Sequence, residues 1–508
     1  MKNRLFSADF HHFVPGGIGW ACRRPLKETD RRRGGETGNR LFRKESFPDG
    51  PDADRGVKTV CRRELFSGGT QLMLCGEMGM DMAKLIIEGG RRLEGEIAVH
   101  GAKNSALPVL AATLLARGTS EISNCPQLSD VAASVEILRR LGCVVERSQG
   151  VVTVDSTGLC RSDIPDTLMR EMRSSIVFLG ALVARTREAH MSFPGGCELG
   201  ARPIDLHLAA LRQLGVEITE ERGRLECRTA GRLKGAVIAL DFPSVGATEN
   251  ILLAAVTAEG RTVILNAARE PEIVDLCAYL TRCGARIHGA GEGEIRIEGV
   301  ESLSGCAHRV MPDRIETVTY LAAGAVTGGR LILRGAEPCH IATVLPAFEE
   351  AGCTLSHGTG TLTLQAPERL RRIRLIRTMP YPGFPTDAQA PLMAMACVAE
   401  GTSVFVENIF ENRYKHAGEL IRLGANIKVE GRVAVVEGVS ALSGAEVECT
   451  DLRGGAALVI AGLAAEGSTT LRAIHHLDRG YERLEDALRG VGAAVERKQG
   501  GGRGEENM

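Results

Sequence analysis

Aromatic residues are scarce: Phe, Trp and Tyr make up 4% of the 508-residue chain, with a single Trp. That scarcity argues against the stacking platforms on which single-stranded nucleic acid is bound. Net charge is nearly absent as well, at −1 from 62 basic and 63 acidic residues. There is no global pull toward nucleic acid or an anionic membrane, so any anion site must be a local concentration of basic side chains. No run of ~18 apolar residues occurs, and no membrane-spanning helix is expected. The 15 cysteines form no C-x-x-C pair and no Cys/His cluster of zinc spacing, so no metal centre is expected either. Scattered through apolar stretches, as at Cys277, Cys283 and Cys397, they read as small buried hydrophobes in a reducing compartment, the cytoplasm.

What is present is an ordinary globular balance, 44% hydrophobic and 25% charged, in a chain long enough for two or more domains. Residues 1–81 stand apart. They are polar, Arg-rich and punctuated by Gly and Pro, without periodicity and without the apolar core of a secretory signal. They read as a disordered leader or an over-extended start, and residues 500–508 as a flexible tail. Periodic pattern begins at Met82.

From there the chain repeats itself. Six amphipathic segments end in an apolar residue or cysteine followed by glycine and then a strand-like run: Gly142, Gly215, Gly284, Gly352, Gly424 and Gly492, spaced by 73, 69, 68, 72 and 68 residues. Each glycine stands where a helix C-terminus wants a left-handed residue. Upstream of each lies an Ala-rich helix apolar nearly all round, which marks it as buried, followed by a turn and a strand. The period is too long for common solenoids. It predicts α/β domains with internal pseudo-symmetry, in which the loops after the Ala-helix strands differ most and carry function.

Those loops and helix starts hold Lys103, Asp130, Arg173, Arg202, Arg413, Arg453 and Arg479. Lys103, Arg173 and Arg453 precede small-residue helical stretches, whose N-termini favour anions. Convergent arginines suit a ligand with phosphate and carboxylate groups, which guanidinium grips bidentately. Asp387, after "YPGFPT" and before a buried helix, reads either as a helix N-cap or as a general base at a loop tip. Cys197 sits in "PGGCELGARP", a glycine-rich loop that exposes its thiol for chemistry rather than packing.

The motifs "GAKNSALP", "PGGCELGARPIDLH", "SVGATENILLAA", "AAREPEIVDL", "MPDRIET", "FPTDAQAP", "FENRYKH" and "DRGYERLEDALR" resemble, in order from Met82 to Gln499, those of the UDP-N-acetylglucosamine 1-carboxyvinyltransferase family. The resemblance implies a two-domain inside-out α/β barrel of six repeated units, pseudo-threefold in each domain. One domain would span 103–310, and the other 82–102 plus 311–499. It implies transfer of the enolpyruvyl group of phosphoenolpyruvate to the 3′-hydroxyl of UDP-N-acetylglucosamine with release of phosphate, the first committed step of peptidoglycan synthesis, without cofactor or metal. By the same resemblance Lys103, Arg202 and Arg479 would hold the phosphate, with Asn104 beside Lys103, and Arg413 and Arg453 the carboxylate. Arg173, Arg202, Pro203, Ile204, Asp205, Leu206, Phe242, Pro243, Ser244, Val245, Asp387 and Ile409 would contact the nucleotide sugar. Asp387 would be the base and Cys197 the proton donor, alkylated in this family by the epoxide fosfomycin. Gly454 and Gly455 stand where the family commonly has Ala and Ser, a change expected to loosen that helix start. The sister family, 3-phosphoshikimate 1-carboxyvinyltransferase, lacks the PGGC loop. A binding-only relative would have lost Lys103, Cys197 or Asp387, and all three are present. Nothing in the sequence assigns an oligomeric state.

A chain beginning at Met82 is expected to match the full chain in turnover and melting temperature. Calorimetry on both forms checks this, and a drop of several degrees in the shorter one would show that the leader packs on the fold.

Overall fold

A computed structural model describes residues 83–194 and 204–499. The expected leader and tail, together with Cys197, Arg202 and Pro203, lie outside the described residues.

The apolar helices foreseen from the repeats are buried. Lys103–Ala112, Phe178–Thr186 and Val245–Ala255 line one hydrophobic core, made by residues between Ala106 and Val310. Arg314–Val326, Gln389–Cys397 and Leu452–Ala464 pack on one another in a second core, made by Leu85–Val99 and Val318–Val495. Around them stand six principal sheets, five of four strands and one of three among the described residues, with a further two-stranded pairing. Helices are inside and sheets outside because the Ala-rich helices have no polar face to offer water. The strands alternate, so each sheet buries one face only. No helix among the described residues is long and apolar enough to cross a membrane.

All six repeat glycines have left-handed backbone, with φ between 93° and 107°. The second helix of each unit therefore stops there, and the chain turns into the next strand.

The N-terminal strands belong to the second core. Lys84–Glu88 lies antiparallel between Ser468–Arg472 and Ala494–Lys498, while Glu94–Ala98 runs parallel to Arg330–Arg334. Conversely, Ala307–Arg309 pairs with Thr119–Ser123 of the first core. The chain passes between the cores at 99–102 and again at 310–313, and the two passages are hydrogen-bonded together. Ala102 donates to the Met311 carbonyl and Asp313 to the His100 carbonyl, each at 2.8 Å.

Gly101 sits in this crossing, bridged to Pro312. A Cβ there would overlap the Asn124 carbonyl oxygen. Gly101→Ala is expected to destabilise the chain by about 3 kcal/mol. Exposed helical Gly418, where a Cβ meets open space, is the control: its Ala variant should gain about 0.5–1 kcal/mol. Denaturant melts of both variants decide.

Candidate active site

The two passages set Lys103 at the first residue of the Lys103–Ala112 helix, next to the second core. The residue is 9% exposed, and its ammonium donates from Nζ to Asp130 Oδ2 at 3.1 Å. Asp130 lies in the first turn of the Ser129–Leu141 helix and is itself buried. Its other oxygen accepts from Arg479 Nε at 3.0 Å. One carboxylate therefore joins a lysine of the first core to an arginine of the second. Burial pushes the Lys103 ammonium below its usual range, and the adjacent Asp130 charge acts against that shift.

A second carboxylate does the same for two further arginines. Asp387 Oδ1 accepts from Arg413 Nη2 at 2.8 Å, and Oδ2 from both Nε and Nη2 of Arg453 at 3.3 Å. Both guanidiniums are buried, 2% and 3% exposed. Arg413 lies over the Phe410 ring and Arg453 over the Tyr481 ring, with 5.7 and 5.3 Å to the centroids. Burial alone would raise the Asp387 carboxyl. The charges of Arg453, Arg413, Arg314 and Lys103 outweigh it and hold the group far below the carboxylate range. Asp387 caps no helix: the caps of its 3-10 turn and of the following helix are Pro385 and Ala388, neither with a side-chain bond. Its carboxylate is committed to the arginines, which disposes of the capping reading. Even so, Arg413 Nε and Arg453 Nη1 are buried without a hydrogen-bond partner among the described residues. Two buried donors are spare, aimed from two cations that share one acid.

The helix that carries Arg453 begins firmly. Asp451 is its N-cap and accepts from the Arg453 and Gly454 amides at 3.0 Å. The expectation that Gly454 and Gly455 loosen this start is corrected by packing. A Cβ on Gly454 would come within 2.9 Å of His416 Cβ, and one on Gly455 within 2.8 Å of Cys449 Sγ. The glycines make room for close neighbours.

Most of the other sequence-derived residues lie at helix starts around the first core. Asn104 follows Lys103 in its helix, and Arg173 opens the 3-10 segment Arg173–Val177. Ile204, Asp205 and Leu206 are at the start of the Asp205–Gln213 helix. Phe242, Pro243, Ser244 and Val245 lead into Val245–Ala255, with Ser244 as its cap and Phe242 44% exposed. These two helix starts are neighbours, tied by a 2.9 Å contact between Asn250 Nδ2 and His207 Nδ1. Ile409 belongs with the arginine cluster: its amide, like that of Phe410, donates to Glu407 Oε1, and Glu407 Oε2 accepts from Thr386.

Glu407 was not foreseen, nor were Asp451, Tyr481 or the Arg314–Glu272 pair, whose Arg314 Nε reaches Glu272 at 2.9 Å. "TDLRGG" carries an N-cap signal that would have found Asp451. Arg314 and Glu272 are 42 residues apart in different cores, and no local pattern links them.

Comparison with known proteins came to one group. The family model described as EPSP synthase (3-phosphoshikimate 1-carboxyvinyltransferase) matches residues 87–488. The chain is 52% identical over 416 residues to UDP-N-acetylglucosamine 1-carboxyvinyltransferase 2 of Caldanaerobacter subterraneus subsp. tengcongensis, covering 82% of this chain and 100% of that one. It is 51% identical over 419 residues to UDP-N-acetylglucosamine 1-carboxyvinyltransferase 1 of Symbiobacterium thermophilum, covering 82% and 95%. Among solved structures, the enolpyruvyl transferase NikO of Streptomyces tendae superposes with TM-score 0.75 at 28% identity, over 82% of this chain and 99% of that one. EPSP synthase of Acinetobacter baumannii, at TM-score 0.66 and 20% identity over 82% and 100%, shares the fold.

The depressed Asp387 carboxyl has a consequence for stability. A group whose folded-state pKa lies below its unfolded value stabilises the fold at neutral pH. That contribution is lost as pH falls below about 4, toward the folded value. Asp387→Asn is therefore expected to melt below wild type at pH 7, with the gap narrowing as pH is lowered from about 4 to 3. A gap independent of pH would mean that the ion pairs contribute nothing.

Proposed function

The chain belongs to the enolpyruvyl transferase family, on the UDP-N-acetylglucosamine 1-carboxyvinyltransferase branch, and we propose that it performs that branch's reaction. It transfers the enolpyruvyl group of phosphoenolpyruvate to the 3′-hydroxyl of UDP-N-acetylglucosamine and releases phosphate, the first step of peptidoglycan synthesis. The observation that carries this reading is the cation cluster with its two spare buried donors. Phosphoenolpyruvate brings up to three negative charges on a phosphate at one end and a carboxylate at the other. Lys103 and Arg479, with Arg202, take the phosphate, and Arg413 and Arg453 take the carboxylate. The Ile204–Leu206 and Phe242–Val245 helix starts, with Asn104, Arg173 and Ile409, receive the nucleotide sugar. On this reading the two cores are the two domains, 103–310 and 82–102 with 311–499. The free described cysteines agree with a cytoplasmic enzyme.

The reaction is an addition followed by an elimination. The 3′-oxygen bonds to C2 of phosphoenolpyruvate as C3 gains a proton, giving a tetrahedral ketal. Loss of phosphate and of a C3 proton restores the enol ether. Asp387 as it stands is a weak base, because two guanidiniums stabilise its charge. A substrate carboxylate that takes over Arg413 and Arg453 removes that stabilisation, so Asp387 gains basicity as phosphoenolpyruvate binds. Asp130 stands toward the phosphate as Asp387 stands toward the carboxylate: each acid neutralises two cations that the substrate then claims. The Cys197 thiol supplies the proton to C3. Burial pushes the thiols of Cys277, Cys353 and Cys397 up to about 12, which leaves them inert beside it.

Phosphate release that requires both substrates tests the reaction, and release with shikimate 3-phosphate in place of the nucleotide sugar would overturn it. Asp387→Asn should lower turnover ~10²-fold or more with the fold intact. Fosfomycin should modify Cys197 alone, faster with UDP-N-acetylglucosamine present. Cys197→Asp, still an acid but a poor nucleophile, should keep turnover and lose sensitivity. Peptide mass spectrometry and rates on these variants check both, and an adduct on another cysteine would contradict the assignment.

A further inference from the structure

The repeats place two cysteines face to face far from any role in transfer. Cys283 is the residue before Gly284 at the end of the Pro271–Arg282 helix, and Cys306 precedes the Ala307–Arg309 strand. Their Sγ atoms are 3.3 Å apart. Cys283 is 4% exposed, and Cys306 is half-buried and reachable from solvent.

Three sister units show the same arrangement. A backbone amide donates to the carbonyl of the residue before the repeat glycine: Ser304 to Cys283 at 2.9 Å, Lys234 to Leu214 at 3.0 Å, Arg371 to Ala351 at 3.0 Å and Ser443 to Leu423 at 2.8 Å. Two residues beyond the donor stand Cys306, Ala236, Ile373 and Ala445 respectively. These three sister units hold apolar residues at both places, leucine with alanine in two and alanine with isoleucine in the other. The third unit has replaced both members with thiols, and has brought them together. A lone cysteine at such a site is a small hydrophobe. Two in register, one of them accessible, are a dithiol.

We infer that Cys283 and Cys306 form an oxidant-responsive pair that closes to an intramolecular disulfide by exchange with a low-molecular-weight disulfide. The Cys306 thiolate attacks one sulfur of the disulfide, forms a mixed disulfide and releases the first small thiolate. Cys283 then gives up its proton and attacks Cys306 Sγ, displacing the second thiolate. Two electrons pass from the cysteine pair to the small disulfide, and the two protons lost by the cysteines end on the released thiols. The order follows from access. Burial pushes the Cys283 thiol up to about 12, so the half-exposed Cys306 reacts first and Cys283 resolves. The bond closes a short loop that contains the Arg286–His288 and Glu294–Glu298 strands. It ties the helix end to the strand that feeds the crossing at 310–313.

The test uses the full chain treated with oxidised glutathione, free thiols then blocked with N-ethylmaleimide in denaturant at mildly acidic pH, where disulfide exchange is slow, followed by tryptic peptide mapping. The expected product is peptide 283–286 joined to peptide 297–309, lighter by two hydrogens than the sum of the two. Dithiothreitol should reverse it. The oxidised chain should melt about 3–6 °C higher, and Cys306→Ala, the residue of two sister units, should show no such rise while keeping parental turnover. The exposed Cys160 and Cys339 report that the oxidant has acted. If they carry glutathione while Cys283 and Cys306 return alkylated, or if Cys306 keeps glutathione without passing to Cys283, the inference is wrong.

Discussion

A guanidinium cannot lie in a protein interior without a counter-charge. Arg413 and Arg453 are almost wholly buried, and Lys103 nearly so. The architecture around them follows from that requirement. Asp387 meets both arginines, and Asp130 meets the lysine together with Arg479 from the other core. Each acid is in turn fixed from outside the cluster. Glu407 binds Thr386 beside Asp387 and also the Ile409–Phe410 amides, and Asp130 is held by the first turn of its helix. In the proposed reaction, a ligand with two anionic ends competes with each acid for the two cations it shares.

The fold serves this cluster by bringing helix starts together across two cores. Lys103 and Arg453 both open buried helices, so their side chains leave the helix where backbone amides face outward. The paired passages at 99–102 and 310–313 are the covalent link between the cores. Arg314, one residue past the second passage, is bound to Glu272 of the first core. Asp387 feels its charge as well. The same arginine thus joins the passage to the field around the candidate base.

Much of this was legible in the sequence, and the boundary of what was legible is physical. The six repeat glycines announced their left-handed turns, because only one local conformation needs them. The Ala-rich helices announced their burial through the lack of a polar face. The cations could be gathered by their places in loops and at helix starts. Their partners could not. Asp387 is 26 residues from Arg413 and 66 from Arg453, and Asp130 is 349 from Arg479. No periodicity reports a contact made by tertiary folding at that range. Local sequence therefore leaves Asp387 between cap and base, and its carboxylate between two guanidiniums speaks against the cap. Gly454 and Gly455 depart from expectation for a related reason: propensity describes the helix alone, and the packing of His416 and Cys449 against it decides the outcome.

The central claim is that phosphoenolpyruvate displaces Asp387 from its arginines and frees it as a base. A crystal structure of the chain with phosphoenolpyruvate and UDP-N-acetylglucosamine bound, in the Cys197→Ala form to hold the substrates, tests it most directly. The account predicts the substrate carboxylate on Arg413 and Arg453, its phosphate on Lys103 and Arg479, and Asp387 turned to the 3′-hydroxyl. Asp387 still spanning both guanidiniums, with the substrate carboxylate bound elsewhere, would contradict it.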